Sequence, residues 1–191
     1  MIQLIFRPLD YIKITWQATK GNGKKYNAKK WIDIYLPIFS ALFSSFFMLL
    51  LFLSNDFKIF FKGDAFGLLT NFLQTLPGFY IAALAAIVSF NNPKLDEIDF
   101  DDCPIDCNSY NMTFRRFLAN TFSYLAWISI FLIFYCLAVK YIFESIQVDI
   151  IDLYFYFVYV VLLLPLIFFI TQLFSITAMS LFYLGDRIHR S

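Results

Sequence analysis

Charge is what the long apolar stretches of this 191-residue chain lack. Four of them run over residues 34–53, 65–90, 117–143 and 151–184, and none carries Asp, Glu, Lys or Arg in its middle twenty positions. An ion or proton translocator normally sets an ionisable group within the bilayer, facing a pathway, so coupled transport is disfavoured. Histidine occurs once, as His189, and cysteine three times. No HExxH, GxSxG or carbonyl-filter sequence is present, and the two halves show no repeat of the broken-helix kind. Lys20-Gly21-Asn22-Gly23-Lys24-Lys25 has its glycines in the wrong order for a phosphate-cradling loop and no GK[ST] ending, so it reads as a turn or loose linker. The chain is therefore expected not to be an enzyme, with no cofactor and no metal. No cleavable signal peptide is expected, because the first thirty residues mix bases and polar groups without an apolar core, and no lipidation site is expected from Met1-Ile2 or Arg190-Ser191.

The cysteines add little. Cys136 falls inside the third apolar stretch and reads as packing. Cys103 and Cys107 lie in a loop whose expected cytosolic side disfavours a disulfide, and their spacing is not CxxC. Asp99, Asp101, Asp102 and Asp106 offer oxygen ligands nearby, but mixed thiolate and carboxylate sets are uncommon for a structural metal. An acidic loop with two reduced thiols is the favoured reading.

What is abundant is apolar surface. The hydrophobic fraction is 60%, mean hydropathy is +0.67, and there are 26 Phe and 12 Tyr. A hydrocarbon core of about 30 Å needs about 20 residues of helix, and each of the four stretches is that long. A soluble bundle would need a polar stripe along each helix, and none is seen. The expected fold is an all-α membrane protein with four transmembrane helices. Residues 1–30 form a basic cytosolic or interfacial segment, 31–184 the transmembrane domain with loop 91–116, and 185–191 a basic tail.

Fifteen Lys and Arg residues set the expected orientation. Seven precede the first stretch (Arg7, Lys13, Lys20, Lys24, Lys25, Lys29 and Lys30). Lys94, Arg115 and Arg116 follow the second, and Arg187 and Arg190 follow the fourth. The opposite side receives only Lys58, Lys62 and Lys140. The positive-inside rule then places both termini and the 91–116 loop in the cytosol.

Within residues 1–30, Ile12, Ile14 and Trp16 alternate with Lys13 and Thr15, which suits a short strand. An interfacial position on the membrane surface, as helix or small hairpin, is slightly favoured. Trp31 and Tyr35 suit the headgroup zone. Asp33 and Asp64 are placed to cap the first and second helices. In the second stretch Thr70, Asn71, Gln74 and Thr75 precede Pro77-Gly78, and Ala82, Ala83, Ala85 and Ala86 follow. A kink around 73–78 and close approach by another helix are expected, which marks Asn71, Gln74, Pro77 and Gly78 as hinge or helix-contact residues. The fourth stretch is overlong, Pro165 should bend it, and Gly185 can end it.

Loop 91–116 is the main polar surface. Asp96, Glu97, Asp99, Asp101, Asp102 and Asp106 make it acidic against Lys94, Arg115 and Arg116, so it should repel headgroups and nucleic acid. It should attract a basic protein or the basic N-terminal segment. With Lys24 and Lys25 it is the expected partner-docking surface. A neutral channel or small-solute permease, lined after oligomerisation by Asn71, Gln74, Gln172 and hydroxyls, is the alternative.

The basic piece beginning Met1–Tyr11, the four spans and the loop around Asn91–Arg116 together resemble the small membrane subunit of the Kiwa antiphage defence system. The resemblance covers the whole length and rests on overall likeness rather than a motif. It implies a homo-oligomeric inner-membrane protein that serves as sensor and anchor for a DNA-binding cytosolic partner, with no nucleic-acid contact of its own and no catalytic residues to carry over.

Overall fold

The computed structural model describes residues 7–19, 25–53, 59–96, 98, 104–106, 110–145 and 153–189. The chain is an all-α, multi-pass membrane protein. Its four long helices are α1 (Leu36–Leu53), α2 (Asp64–Ser89), α3 (Phe114–Ser145) and α4 (Leu153–His189). Each contains a stretch long and apolar enough to cross a membrane. A helical turn, Ala28–Lys30, and a π-helical turn, Trp31–Tyr35, lead into α1 and extend the first span to Trp31.

The helices do not pack in chain order. α1 lies against α4, α4 against α3, and α3 against α2. The second helix also reaches the fourth, through a 2.8 Å hydrogen bond between the Tyr80 and Thr177 hydroxyls and through Phe72 stacked on Phe174 at 5.9 Å. Half of the most apolar window of α3 is buried, against 11% for the first span, so α3 is the central helix and α1 a peripheral one. Lipid tails are as apolar as leucine, so association inside a bilayer rests on packing and interhelical hydrogen bonds. Ser40 with Thr171 (3.0 Å) ties α1 to α4, and the Tyr135 hydroxyl donates to the Leu162 carbonyl (2.6 Å) between α3 and α4. Each such bond contributes on the order of 1 kcal/mol.

The N-terminal segment departs from the expected alternation. Arg7–Lys13 is a 3-10 helix, and the strands are β1 (Gln17–Thr19) and β2 (Lys25–Asn27), an antiparallel hairpin. Three residues per turn put Tyr11 and Ile14 on one face. Both are buried with Trp16, while Ile12 is 52% exposed. Trp16 fits among Phe114 (5.9 Å), Phe117 (5.1 Å) and Tyr183 (4.2 Å), wedged between α3 and α4. Thr15 makes an antiparallel bridge to Ile105, which bridges in turn to Asn111, so the segment is stitched to the loop after α2.

Both expected caps are corrected. Asp64 is the first helical residue of α2, whose N-cap is Gly63 with no side-chain cap bond. Asp33 lies inside the π-helical turn and binds Lys29 instead of an amide. The fourth helix continues past Gly185 to His189, and Gly185 does not take the left-handed conformation that would end it. Helices α2 and α4 run unbroken through Pro77 and Pro165.

Candidate functional site

At the end of the bundle that carries both termini, a buried polar cluster joins the N-terminal segment to three of the four helices. Lys29 and Asp33 stand four residues apart across the turn that opens the first span. Their side chains, 3% and 7% exposed, form an ion pair. The Tyr11 hydroxyl donates to Asp33 Oδ1 at 3.3 Å, and Lys29 Nζ sits 3.9 Å above the Tyr11 ring. Tyr11 stacks on Tyr124 of α3, centroids 4.9 Å apart. The Tyr124 hydroxyl donates to Gln172 Oε1 of α4 at 3.0 Å, and Gln172 Nε2 donates to the Asp33 carbonyl at 2.9 Å. Ammonium, carboxylate, phenol and amide thus close a ring.

Local sequence explains the geometry in part. The π-helical turn, closed by Leu36 N–H on the Trp31 carbonyl, adds one residue to the helical turn there. Gln172, in a helix face that would otherwise meet lipid or leucine, gains two partners in the low-dielectric interior. Burial pushes the Lys29 ammonium below its ordinary range, opposed by the Asp33 carboxylate. Burial first, and Asp33 second, raise the Tyr11 phenol well above its ordinary value. The cluster borders a pocket of about 260 Å³ lined by Asn27, Lys30, Thr15 and Ile14 among others.

A second polar knot lies beside it. Arg115, in the first turn of α3, donates from Nη1 to the carbonyls of Ile87 (2.8 Å) and Phe90 (2.7 Å). Its Nε and Nη2 grip the two oxygens of Asp96 at 2.7 and 2.9 Å. The guanidinium therefore satisfies carbonyls at the end of α2 and fixes the loop that follows. These hydrogen bonds hold the exposed Asp96 carboxyl below its ordinary value. Arg116 Nη2 meets Asp106 Oδ2 at 2.9 Å.

Of the expected docking residues, Asp96 and Asp106 are thus each paired within the chain. Lys25 contributes backbone to β2. Glu97, Asp99, Asp101, Asp102 and Lys24 lie outside the described residues, as do Cys103 and Cys107. Among the hinge or contact residues, Asn71, Gln74 and Gly78 are exposed on the outward side of α2, while Pro77 and Pro165 are half-buried. Hydroxyls on the second and fourth helices donate to carbonyls of their own helix: Thr70 to Phe66, Thr75 to Phe72, Ser175 to Thr171 and Ser180 to Ile176. Among the described residues, no group of three or more His, Cys, Asp or Glu side chains is placed to hold a metal ion.

Sequence reading set Lys29 among the flanking bases and Asp33 as a cap. Their i, i+4 spacing at a span entrance was the one signal available. Nothing local marks Tyr11, Tyr124 and Gln172 as their companions. The chain matches no family model, and comparison with curated proteins and with solved structures found no match.

Proposed function

We propose that this chain is a non-catalytic anchor and sensor subunit of a membrane assembly, which recruits a DNA-binding cytosolic protein in antiphage defence and works as a homo-oligomer. The observation that carries the reading is the ring of contacts from Tyr11 through Lys29, Asp33, Tyr124 and Gln172. Through it, a partner that engages the N-terminal segment or the loop beside it acts on the spans, and a disturbance of the spans acts on that surface. The defence role rests on likeness to the Kiwa membrane subunit. The cytosolic placement of both termini rests on the distribution of Lys and Arg, and the bacterial inner membrane on the same likeness as the defence role.

The docking surface in this reading is made of the acidic loop together with Lys24 and Lys25. Because Asp96 and Asp106 are engaged by Arg115 and Arg116, the aspartates to test are Asp99, Asp101 and Asp102. Replacing these three with Asn should weaken co-purification of the cytosolic partner from mild detergent. Unchanged recovery at low and moderate salt overturns this docking surface.

The rival reading, a neutral channel or small-solute permease, is favoured by one observation: Asn71 and Gln74 face outward from α2. Reproducible conductance of the reconstituted protein, reduced by Asn71→Leu or Gln74→Leu, would select it.

A further inference from the structure

The second helix carries two carboxamides on the face turned away from its own bundle. α2 is the least apolar of the four spans, yet only 22% of its apolar window is buried, against 50% for α3. Phe66, Leu73, Tyr80 and Ile87 belong to its buried face. On the outer face Asn71, Gln74, Gly78, Ala82, Ala85 and Ser89 recur at three- and four-residue spacing, and all six are exposed. That spacing sets them in one stripe along the helix.

Depth makes this arrangement costly for a single copy. At 1.5 Å per residue, Gln74 and Asn71 stand about 4 and about 8 Å from the middle of α2, inside a hydrocarbon core of about 30 Å. No water reaches that depth to bond a carboxamide. Among the described residues neither amide has a hydrogen-bond partner. Gln172 of α4, by contrast, is buried and held at both ends, the condition that such a group needs inside a membrane.

The chemistry of the stripe identifies what covers it. A carboxamide both donates and accepts, so another carboxamide satisfies it, whereas an acyl chain offers neither function. A second copy threads the bilayer in the same way. Rotation about the membrane normal therefore brings Asn71 and Gln74 to Asn71 and Gln74 at the same depth. The stripe bears no charge that would call for an opposite one on a different protein. Gly78, Ala82 and Ala85 leave room for two helices to approach closely. A Cβ added at Gly78 would meet nothing within 4 Å, so packing within this chain does not require that glycine.

We propose that this face of α2 packs against the same face of α2 in a second copy, with Asn71 and Gln74 hydrogen-bonded across the interface. This is the contact surface of the homo-oligomer in the reading above, and it rests on that reading. The amides then meet each other directly and do not line a pore.

The test uses the full chain, one fluorophore per copy, in liposomes of phosphatidylethanolamine and phosphatidylglycerol, with association read by single-molecule photobleaching over a dilution series. Wild type should associate. Asn71→Leu combined with Gln74→Leu should weaken association about tenfold, the order that lost interhelical hydrogen bonds imply. Gly78→Leu, which the open space permits within one chain, should weaken it similarly by holding the helices apart. Gln74→Asn keeps a carboxamide and should retain most of the association. In a Cys103→Ser, Cys107→Ser background with buried Cys136 left in place, oxidation should give disulfide dimers from Gly78→Cys and Ala82→Cys. Phe134→Cys, at an exposed position of α3, should give none.

Association unchanged in both leucine variants, with no disulfide from Gly78→Cys or Ala82→Cys, overturns this interface and leaves the homo-oligomer to another face. Monomeric wild type overturns the interface and the homo-oligomer together, and leaves the stripe to a different membrane protein. Conductance that falls in Asn71→Leu, with no disulfide from Gly78→Cys, sets the amides around a pore and overturns their direct contact.

Discussion

Lys29 and Asp33 pair their charges out of water, and the same carboxylate accepts from Tyr11, 22 residues earlier in the chain. Removing one member of a buried pair strands the other, which costs about 3–5 kcal/mol, whereas replacing both with apolar side chains is often close to neutral. Asp33→Leu and Lys29→Met should each lower unfolding stability in detergent by about that amount. The double variant Lys29→Met with Asp33→Leu should lose less than either single one. A thermal or denaturant double-mutant cycle measures this, and simple additivity would contradict a coupled pair.

Gln172 is held at both ends, by the Tyr124 hydroxyl and by the Asp33 carbonyl. Gln172→Leu leaves both of these groups unpaired in a dry interior and should cost about 1–3 kcal/mol. Tyr124→Phe removes one of the same bonds, so adding it to Gln172→Leu should cost less than the sum of the two. Equal and independent losses would show that the ring does not act as a unit.

The N-terminal segment should loosen at alkaline pH. The Tyr11 phenol is raised well above its ordinary value of 10.0, chiefly by burial. The folded chain therefore holds that proton more tightly than the unfolded one. Its contribution is complete below pH 10 and is lost as pH rises from there through the elevated value. Stability measured from pH 9 upward should fall more steeply for wild type than for Tyr11→Phe. Comparing the two slopes removes the effect of Lys29, whose lowered value works in the opposite sense. Parallel slopes would refute the assignment.

Arg115 fastens the end of α2 to the loop after it, so its loss should be felt there first. Arg115→Ala should speed amide exchange from Phe90 to Asp96, where the Phe90 amide is bonded to Ala86 and the Asp96 amide to Pro93. Asp96→Asn, which keeps the carbonyl contacts, should have a smaller effect. If both variants exchange like wild type, the guanidinium is not the clamp.

The four spans were legible in the sequence because length and the absence of charge are one-dimensional properties. The 65–90 stretch and helix Asp64–Ser89 differ by one residue at each end. The site was legible only where its members are neighbours. Lys29 and Asp33 are one turn apart, but Gln172 lies 139 residues beyond Asp33 and meets it only because α4 packs against α1. The acidity of Asp96 and Asp106 was evident, while their pairing with Arg115 and Arg116 depends on how α3 enters the bundle. The alternation holds for Ile14 and Trp16, both buried, and fails at Ile12, which is exposed because Tyr11 takes the buried position of a three-residue turn.

Trp16 is the wedge that keeps the N-terminal segment in place. It is 2% exposed, and its ring meets Phe114 and Phe117 of α3 edge-on and lies tilted against Tyr183 of α4. Truncating so large a buried side chain costs about 3–5 kcal/mol, and here the loss falls on one docked segment rather than on the spans. Trp16→Ala should therefore open the segment locally while the four helices keep their thermal transition. Lys13 is paired with Asp10 at the surface and already exposed, so trypsin access there reports flexibility of the backbone around it. Cleavage after Lys13 should be much faster in Trp16→Ala than in wild type, and Trp16→Phe should restore most of the protection. If cleavage is unchanged, the bridge from Thr15 to Ile105 holds the segment without the wedge.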